Sequence, residues 1–149
     1  MVYRVANPQQ ARLIHTARLV NDGKPLWVVD RVKAAVADCL AATDKRASEV
    51  KIACFGLAFK PNIDDLRESP AVEVAHLIAD WHVGETLVVE PNVEQLPKSL
   101  AGHVTLKALA DALQQADVIV MLVDHKQFKA IKPEEITQSW VVDTKGVWR

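Results

Sequence analysis

The chain has 149 residues, half of them apolar, with 18 Lys and Arg set against 19 Asp and Glu. That length suits a single domain of roughly 100–200 residues, and a net charge of −1 leaves no basic excess to hold nucleic acid or an anionic membrane. Two cysteines exclude a disulfide-rich secreted scaffold, and the apolar content excludes a disordered tail.

The N-terminus turns polar within a few residues, so no signal peptide is read. Asn7, Pro8 and Gln10 form a helix start: Asn as N-cap, Pro at the first helical position, Gln at the third. This helix ends near Val20, before Asn21, Asp22 and Gly23. Pro25 opens a second, longer helix in which Val29, Val32, Val36 and Cys39 recur at helical spacing, widened by Val28, Ala35 and Leu40. Two readings of that stripe stand side by side: it packs on its own domain, or it needs a partner in this chain or another. Residues 42–48 are polar and mark the expected boundary between a helical segment, 1–45, and an α/β domain, 46–149.

Residues 50–55 then read as a buried strand ending at Gly56. Ser69 and Pro70 cap a helix with a stripe of Val72, Val74, Ala75, Ile78 and Ala79. Residues 86–89 form a second strand closed by Glu90 and Pro91, residues 103–106 a short third, and residues 108–115 a helix. Residues 117–123 are the strongest strand; their apolar run, 118–123, stops at Asp124, far short of the ~18–20 residues that span a bilayer. A short helix over 133–137 and a strand over 140–142 complete the pattern. Continuous apolar strands alternating with helices predict a Rossmann-like parallel sheet with helices on both faces, preceded by the α-helical segment.

In such a sheet, ligands bind beyond the carboxyl ends of the strands. That edge receives residues 58–69, Glu90, Asp124, His125 and residues 143–145. Lys60, Arg67 and Lys145 are three cations able to converge there, near the helix start at Ser69, which suits an anionic ligand such as a phosphate ester. Taken singly, each is an ordinary solvated loop charge. Glu90 stands where a ribose-binding carboxylate is expected, but Gly56 is the only glycine of its turn, so the dinucleotide fingerprint is missing. Cys39 and Cys54 read as buried core thiols, and the five histidines show no ligand spacing, so no metal site is expected. Asp64 and Asp65 read as loop-holding carboxylates, through backbone N–H groups or Arg67.

The uninterrupted run from Phe55 to Pro70, through Lys60-Pro61-Asn62-Ile63-Asp64-Asp65-Leu66-Arg67-Glu68-Ser69, closely resembles the signature of the nucleotide-sugar 6-dehydrogenases, which act on UDP-glucose, GDP-mannose or UDP-N-acetylmannosamine. Residues 17–22, Lys24-Pro25, residues 88–91 and the closing 141–149 extend the likeness over essentially the whole chain, and residues 63–67 with the Lys-Gly-Val-Trp-Arg ending fit the UDP-N-acetylmannosamine branch. The resemblance implies the UDP-sugar-binding C-terminal part of a cytoplasmic, NAD-dependent enzyme of polysaccharide biosynthesis, oxidising UDP-N-acetyl-D-mannosamine to its uronate. In that family NAD sits mainly on an N-terminal domain, a catalytic Cys forms a thioester, and central helices join two subunits as a homodimer. By position, Phe59, Lys60 and Lys145 would bind the UDP-sugar and Arg67 would reach the NAD. Lys145 stands where many members carry Arg, a point charge in place of a planar fork. No catalytic residue of the family falls on this chain, so the part alone is expected to be inactive. A UDP-glucose or GDP-mannose enzyme, or a stand-alone nucleotide-binding or dimerisation module without turnover, remain the alternatives.

Overall fold

A computed structural model of the protein describes residues 8–136 and 140–148. Asn7, Thr137 and Arg149 lie outside the described residues, and with them the N-cap of the first helix and the expected end of the 133–137 helix. The described elements run α1 (Pro8–Asp22), α2 (Lys24–Ala42), β1 (Ile52–Phe55), α3 (Pro70–Trp81), β2 (Thr86–Val89), β3 (Thr105–Leu106), α4 (Leu109–Gln115), β4 (Val118–Met121), α5 (Lys126–Lys129) and β5 (Trp140–Asp143). A 3-10 turn at Pro133–Ile136 takes the place of the helix read there. The five strands are all parallel, in the order β3-β2-β1-β4-β5. β1 therefore sits at the switch point, flanked by β2 and β4, where the chain stops winding one way and starts winding the other.

The apolar runs become the three central strands because both of their faces are covered; every residue of β1, β2 and β4 is buried. Successive side chains point to opposite faces. Ile52, Cys54, Val88, Val118 and Val120 meet α2 and α3, whereas Ala53, Phe55, Leu87, Val89, Ile119 and Met121 meet Ala112, Phe128 and Ile136 on the other side. Trp148 closes that second core, its ring edge-on to Phe55 at 5.9 Å and its Nε1–H donating to the Phe128 carbonyl at 3.0 Å.

The stripe on α2 packs on its own chain. Val28, Val29, Val32, Val36 and Cys39 are buried in one cluster with Ala71, Val74, Ala75 and Ile78 of α3, each fully buried valine stabilising the fold by about 1.5–3 kcal/mol. In α1, by contrast, residues 12–22 are all exposed, Leu13 and Val20 among them. Ser69 holds the N-cap position of α3 with Pro70 behind it, as expected, but its Oγ makes no capping hydrogen bond.

Three strands are shorter than their sequence runs; the third keeps only Thr105–Leu106 of the expected 103–106, His103 and Val104 having turned back onto the Leu100 carbonyl. Residues 50 and 51 precede β1, where the Lys51 carbonyl accepts the Asp117 and Val118 amides. β4 stops at Met121 because the Leu122 and Val123 amides both turn to the Phe55 carbonyl, at 2.9 and 3.2 Å. That fold-over brings Val123 against Gly56, which has φ +95°; a Cβ built there lies 2.5 Å from the Val123 Cβ. Only glycine tolerates both the dihedral and the approach. Gly56→Ala is expected to lower the unfolding free energy by about 2–4 kcal/mol, from strain and overpacking together; urea denaturation measures it.

Candidate functional site

The parallel sheet brings the exits of β1, β2, β4 and β5 to one edge. The exits of the three central strands are tied together by two side chains. Glu90, directly after β2, and His125, four residues after β4, have fully buried side chains and meet at 2.9 Å. Glu90 Oε2 also accepts the N–H groups of Leu57 and Ala58, at 2.7 and 3.1 Å, and its Oε1 accepts that of Asn92 at 3.1 Å. His125 Nδ1 accepts the Asn62 N–H at 2.8 Å. This assigns the proton to Nε2, which donates to Glu90. Asn62 adopts φ 62°, a conformation asparagine tolerates, and its Oδ1 accepts the Lys126 N–H at 2.9 Å.

Burial pushes the Glu90 carboxyl up, but the hydrogen bond from His125 and the N–H groups of Leu57 and Asn92 outweigh it, holding the group below its ordinary value. Glu90 is also why this sheet does not present a dinucleotide site of the usual kind. The Leu57 and Ala58 amides, the donors that follow β1 and its turn glycine, are already filled by the chain's own carboxylate, and that carboxylate is no longer available to a ribose.

The four residues expected to bind ligand fall as follows. Phe59 is half-exposed and borders a groove of about 690 Å³ between the α1–α2 turn and the start of α3, with Asn21, Ser69 and Pro70. Lys145 borders an adjoining cavity of about 230 Å³, again with Asn21 and Pro70 and with a second cation, Lys24. Lys60 lies exposed, its Nζ 5.9 Å from the centre of the Phe59 ring. Arg67 is exposed and grips Asp65 through two parallel bonds, Nε to Oδ1 at 3.0 Å and NH2 to Oδ2 at 3.1 Å. Asp65 also accepts the Arg67 N–H, so it holds the loop as read from the sequence. Phe59 and Lys145 thus border two adjoining cavities that have Asn21 and Pro70 in common, while Arg67 is engaged within its own loop.

Cys39 and Cys54 are buried, and burial pushes the Cys54 thiol up to about 12, so neither is a nucleophile. Among the described residues no cluster of His, Cys, Asp or Glu is arranged to hold a metal ion, and no helix is long and apolar enough to cross a membrane. Sequence reasoning placed Asn62, Glu90 and His125 on the correct edge without joining them, and did not single out Asn92 or Lys24 as site residues. The available signal was a polar side chain soon after each of two apolar runs, Glu90 directly behind 86–89 and His125 two residues behind 118–123.

A carboxyl whose folded value is depressed stabilises the fold above its unfolded value of about 4.3. That stabilisation is lost as pH falls through the lower folded value. Glu90→Gln is therefore expected to lower the melting temperature at neutral pH and to shrink the further loss on acidification below about pH 4; thermal melts from pH 7 to 3 measure both.

Comparison with known proteins then identifies the family. Residues 53–149 match the model of the UDP-glucose/GDP-mannose dehydrogenase family, UDP binding domain. Over 143 residues, 96% of this chain, the sequence is 89% identical to UDP-N-acetyl-D-mannosamine dehydrogenase of Yersinia pestis, and 49% identical to NDP-N-acetyl-D-galactosaminuronic acid dehydrogenase of Ralstonia nicotianae. The chain spans 34% and 32% of the lengths of those relatives. The fold is similar to that of the UDP-N-acetyl-mannosamine dehydrogenase from S. aureus, with a TM-score of 0.73 at 28% identity over 97% of this chain and 32% of that one. A parallel sheet with a self-filled dinucleotide turn, carried by a sequence of this likeness, belongs to the UDP-glucose/GDP-mannose dehydrogenase family.

Proposed function

We propose that the full-length protein is an NAD-dependent UDP-N-acetyl-D-mannosamine 6-dehydrogenase and that this chain supplies its UDP-sugar site. The observation that carries the reading is the pair of adjoining cavities, one bordered by Phe59 and the other by Lys145, in a molecule whose amides after β1 are closed to a dinucleotide by Glu90. The 89% identity to the Yersinia pestis enzyme, whose name states that substrate, supports the choice of sugar.

Each residue has a task set by its chemistry. Phe59 offers an exposed aromatic face to the nucleotide. Lys60, carried beside that ring, offers a compact ammonium to a phosphate oxygen, and Lys145 offers a second from the adjoining cavity. Glu90 closes the amides after β1 to NAD; Arg67, exposed on its loop, would meet an NAD held by another domain, with Asp65 gripping its planar fork. The oxidation of the sugar C6 alcohol, with its two hydride transfers and its cysteine thioester, belongs to parts of the enzyme other than this chain, since both of its thiols are buried. The exposed apolar side chains of α1, Leu13, Ile14, Leu19 and Val20, offer the surface through which two full-length subunits would pair.

Calorimetry of this chain is expected to show binding of UDP and weaker or no binding of NAD; NAD bound more tightly than UDP overturns the assignment. Lys60→Ala and Lys145→Ala are each expected to weaken UDP binding by the equivalent of about 1–3 kcal/mol of charge-assisted hydrogen bonding. In the full-length enzyme, Arg67→Ala is expected to raise the KM for NAD while leaving that for the UDP-sugar within about twofold; a change confined to the sugar places Arg67 on the wrong ligand.

A further inference from the structure

Glu90 and His125 lie behind the groove and are fully buried. Neither lines the two cavities bordered by Phe59 and Lys145. A buried carboxylate–imidazole pair is costly to keep and is retained only with every donor matched. What this pair holds is the loop between β1 and α3, and it holds that loop at two points. The Leu57 and Ala58 amides are fixed on Glu90, and the Asn62 amide is fixed on His125. The residues suspended between these anchors are Phe59, Lys60 and Pro61. The Phe59 N–H closes onto the Asp65 carbonyl at 2.8 Å, which folds the outer half of the loop back over the same short span. Pro61 biases Lys60 toward an extended backbone.

Both anchors meet in one unit, since His125 Nε2–H is itself bonded to Glu90. Neither ring nitrogen of His125 is left for a ligand: Nε2 donates to Glu90 and Nδ1 accepts from Asn62, with the Asn92 side-chain amide a further 3.3 Å neighbour. An imidazole bonded at both ends, with no open side on the groove, transmits position and does no proton chemistry.

We infer that the buried Glu90–His125 pair is a latch that sets the position of Phe59 and Lys60, and through them the affinity for the UDP moiety of the sugar nucleotide. This rests on the reading of Phe59 and Lys60 as substrate-binding residues. Glu90 and His125 are positioning residues and touch no substrate.

A double-mutant cycle in the full-length enzyme tests it, with UDP as the probe in calorimetry and the KM values for UDP-sugar and NAD read beside it. His125→Phe keeps a buried ring and removes both hydrogen bonds. It is expected to weaken UDP binding about tenfold while leaving the KM for NAD within about twofold. Adding Lys60→Ala to His125→Phe is expected to cost no more than about twofold further, because Lys60 has already left its place. Additive losses, or His125→Phe binding UDP like the unaltered enzyme, overturn the latch. If Lys60→Ala alone leaves UDP binding unchanged, the assignment of Lys60 fails, a result distinct from a full Lys60→Ala effect that adds to that of His125→Phe. Should His125→Phe not fold, Glu90→Gln carries the same cycle, with chymotrypsin cleavage after Phe59 as a direct measure of loop position, expected to be about tenfold faster than in the unaltered enzyme. Failure of both variants to fold assigns the pair to global stability and overturns the inference.

Discussion

A single carboxylate organises the working edge of this molecule. Glu90 leaves the second strand, enters the interior and collects four donors: three backbone N–H groups and one imidazole N–H. An isolated ion at that depth would cost several kcal/mol to desolvate. Four charge-assisted bonds offset that cost and hold the carboxyl below its ordinary value in spite of burial. The consequence is geometric. β1, β2 and β4 are neighbours through their ladders, but ladders end at Phe55, Val89 and Met121. Beyond those residues a few backbone bonds at Gly56, Leu122 and Val123 continue the contact, and Glu90 and His125 then tie the three exits and the loop after β1 together.

The sheet was legible in the sequence because its central strands are buried on both faces and read as unbroken apolar runs. The 86–89 strand falls at its expected bounds. The ends were less legible, for a reason specific to this fold. Val50, Leu122 and Val123 are as apolar and as buried as strand residues, yet the Val50 amide closes a turn onto the Ala47 carbonyl, and the Leu122 and Val123 amides both go to the Phe55 carbonyl as the chain folds over Gly56. Apolarity reports burial, and only hydrogen-bond direction reports where a strand stops. The four-residue α5 was not read at all; it is too short to show a period, and its start is set by the Asn62 side chain, 64 residues away. The stripe on α2 announced a helix with a partner but not which partner; the answer lies in α3 and the sheet, a tertiary fact.

The site was legible as an edge and not as a set of contacts. The rule that ligands gather at the carboxyl ends of parallel strands placed Phe59, Lys60, Lys145, Glu90 and His125 on one side of the sheet. It did not separate those that face the groove from those that stand behind it. Lys145 borders a cavity next to that of Phe59 and is joined there by Lys24 from the first turn of α2, a residue whose relevance depends on α2 docking beside α3. Arg67 is the opposite case. It reads as one more cation of the edge, but Asp65, two residues before it, matches its fork and fixes its direction. Local sequence holds that pairing, and a short-range reading of Asp65 was sufficient to find it.

The larger lesson concerns how one kind of sheet serves two kinds of nucleotide. A dinucleotide fold needs free amides after the first strand, glycines that let a pyrophosphate approach them, and an acid after the second strand for the ribose. Here the acid is present and the glycines beyond Gly56 are not. Without them the turn carries side chains, and the acid reaches the Leu57 and Ala58 amides itself. Glu90 thus occupies with its own charge the position that a phosphate would claim. On the proposed function, a ligand at this edge binds farther out, on the long loop and beside α2 and the end of β5, where Phe59, Lys24 and Lys145 border cavities. The missing glycines and the inward-turned acid fit one another: each makes the other tolerable, and on the proposed function they leave the nucleotide to the loop.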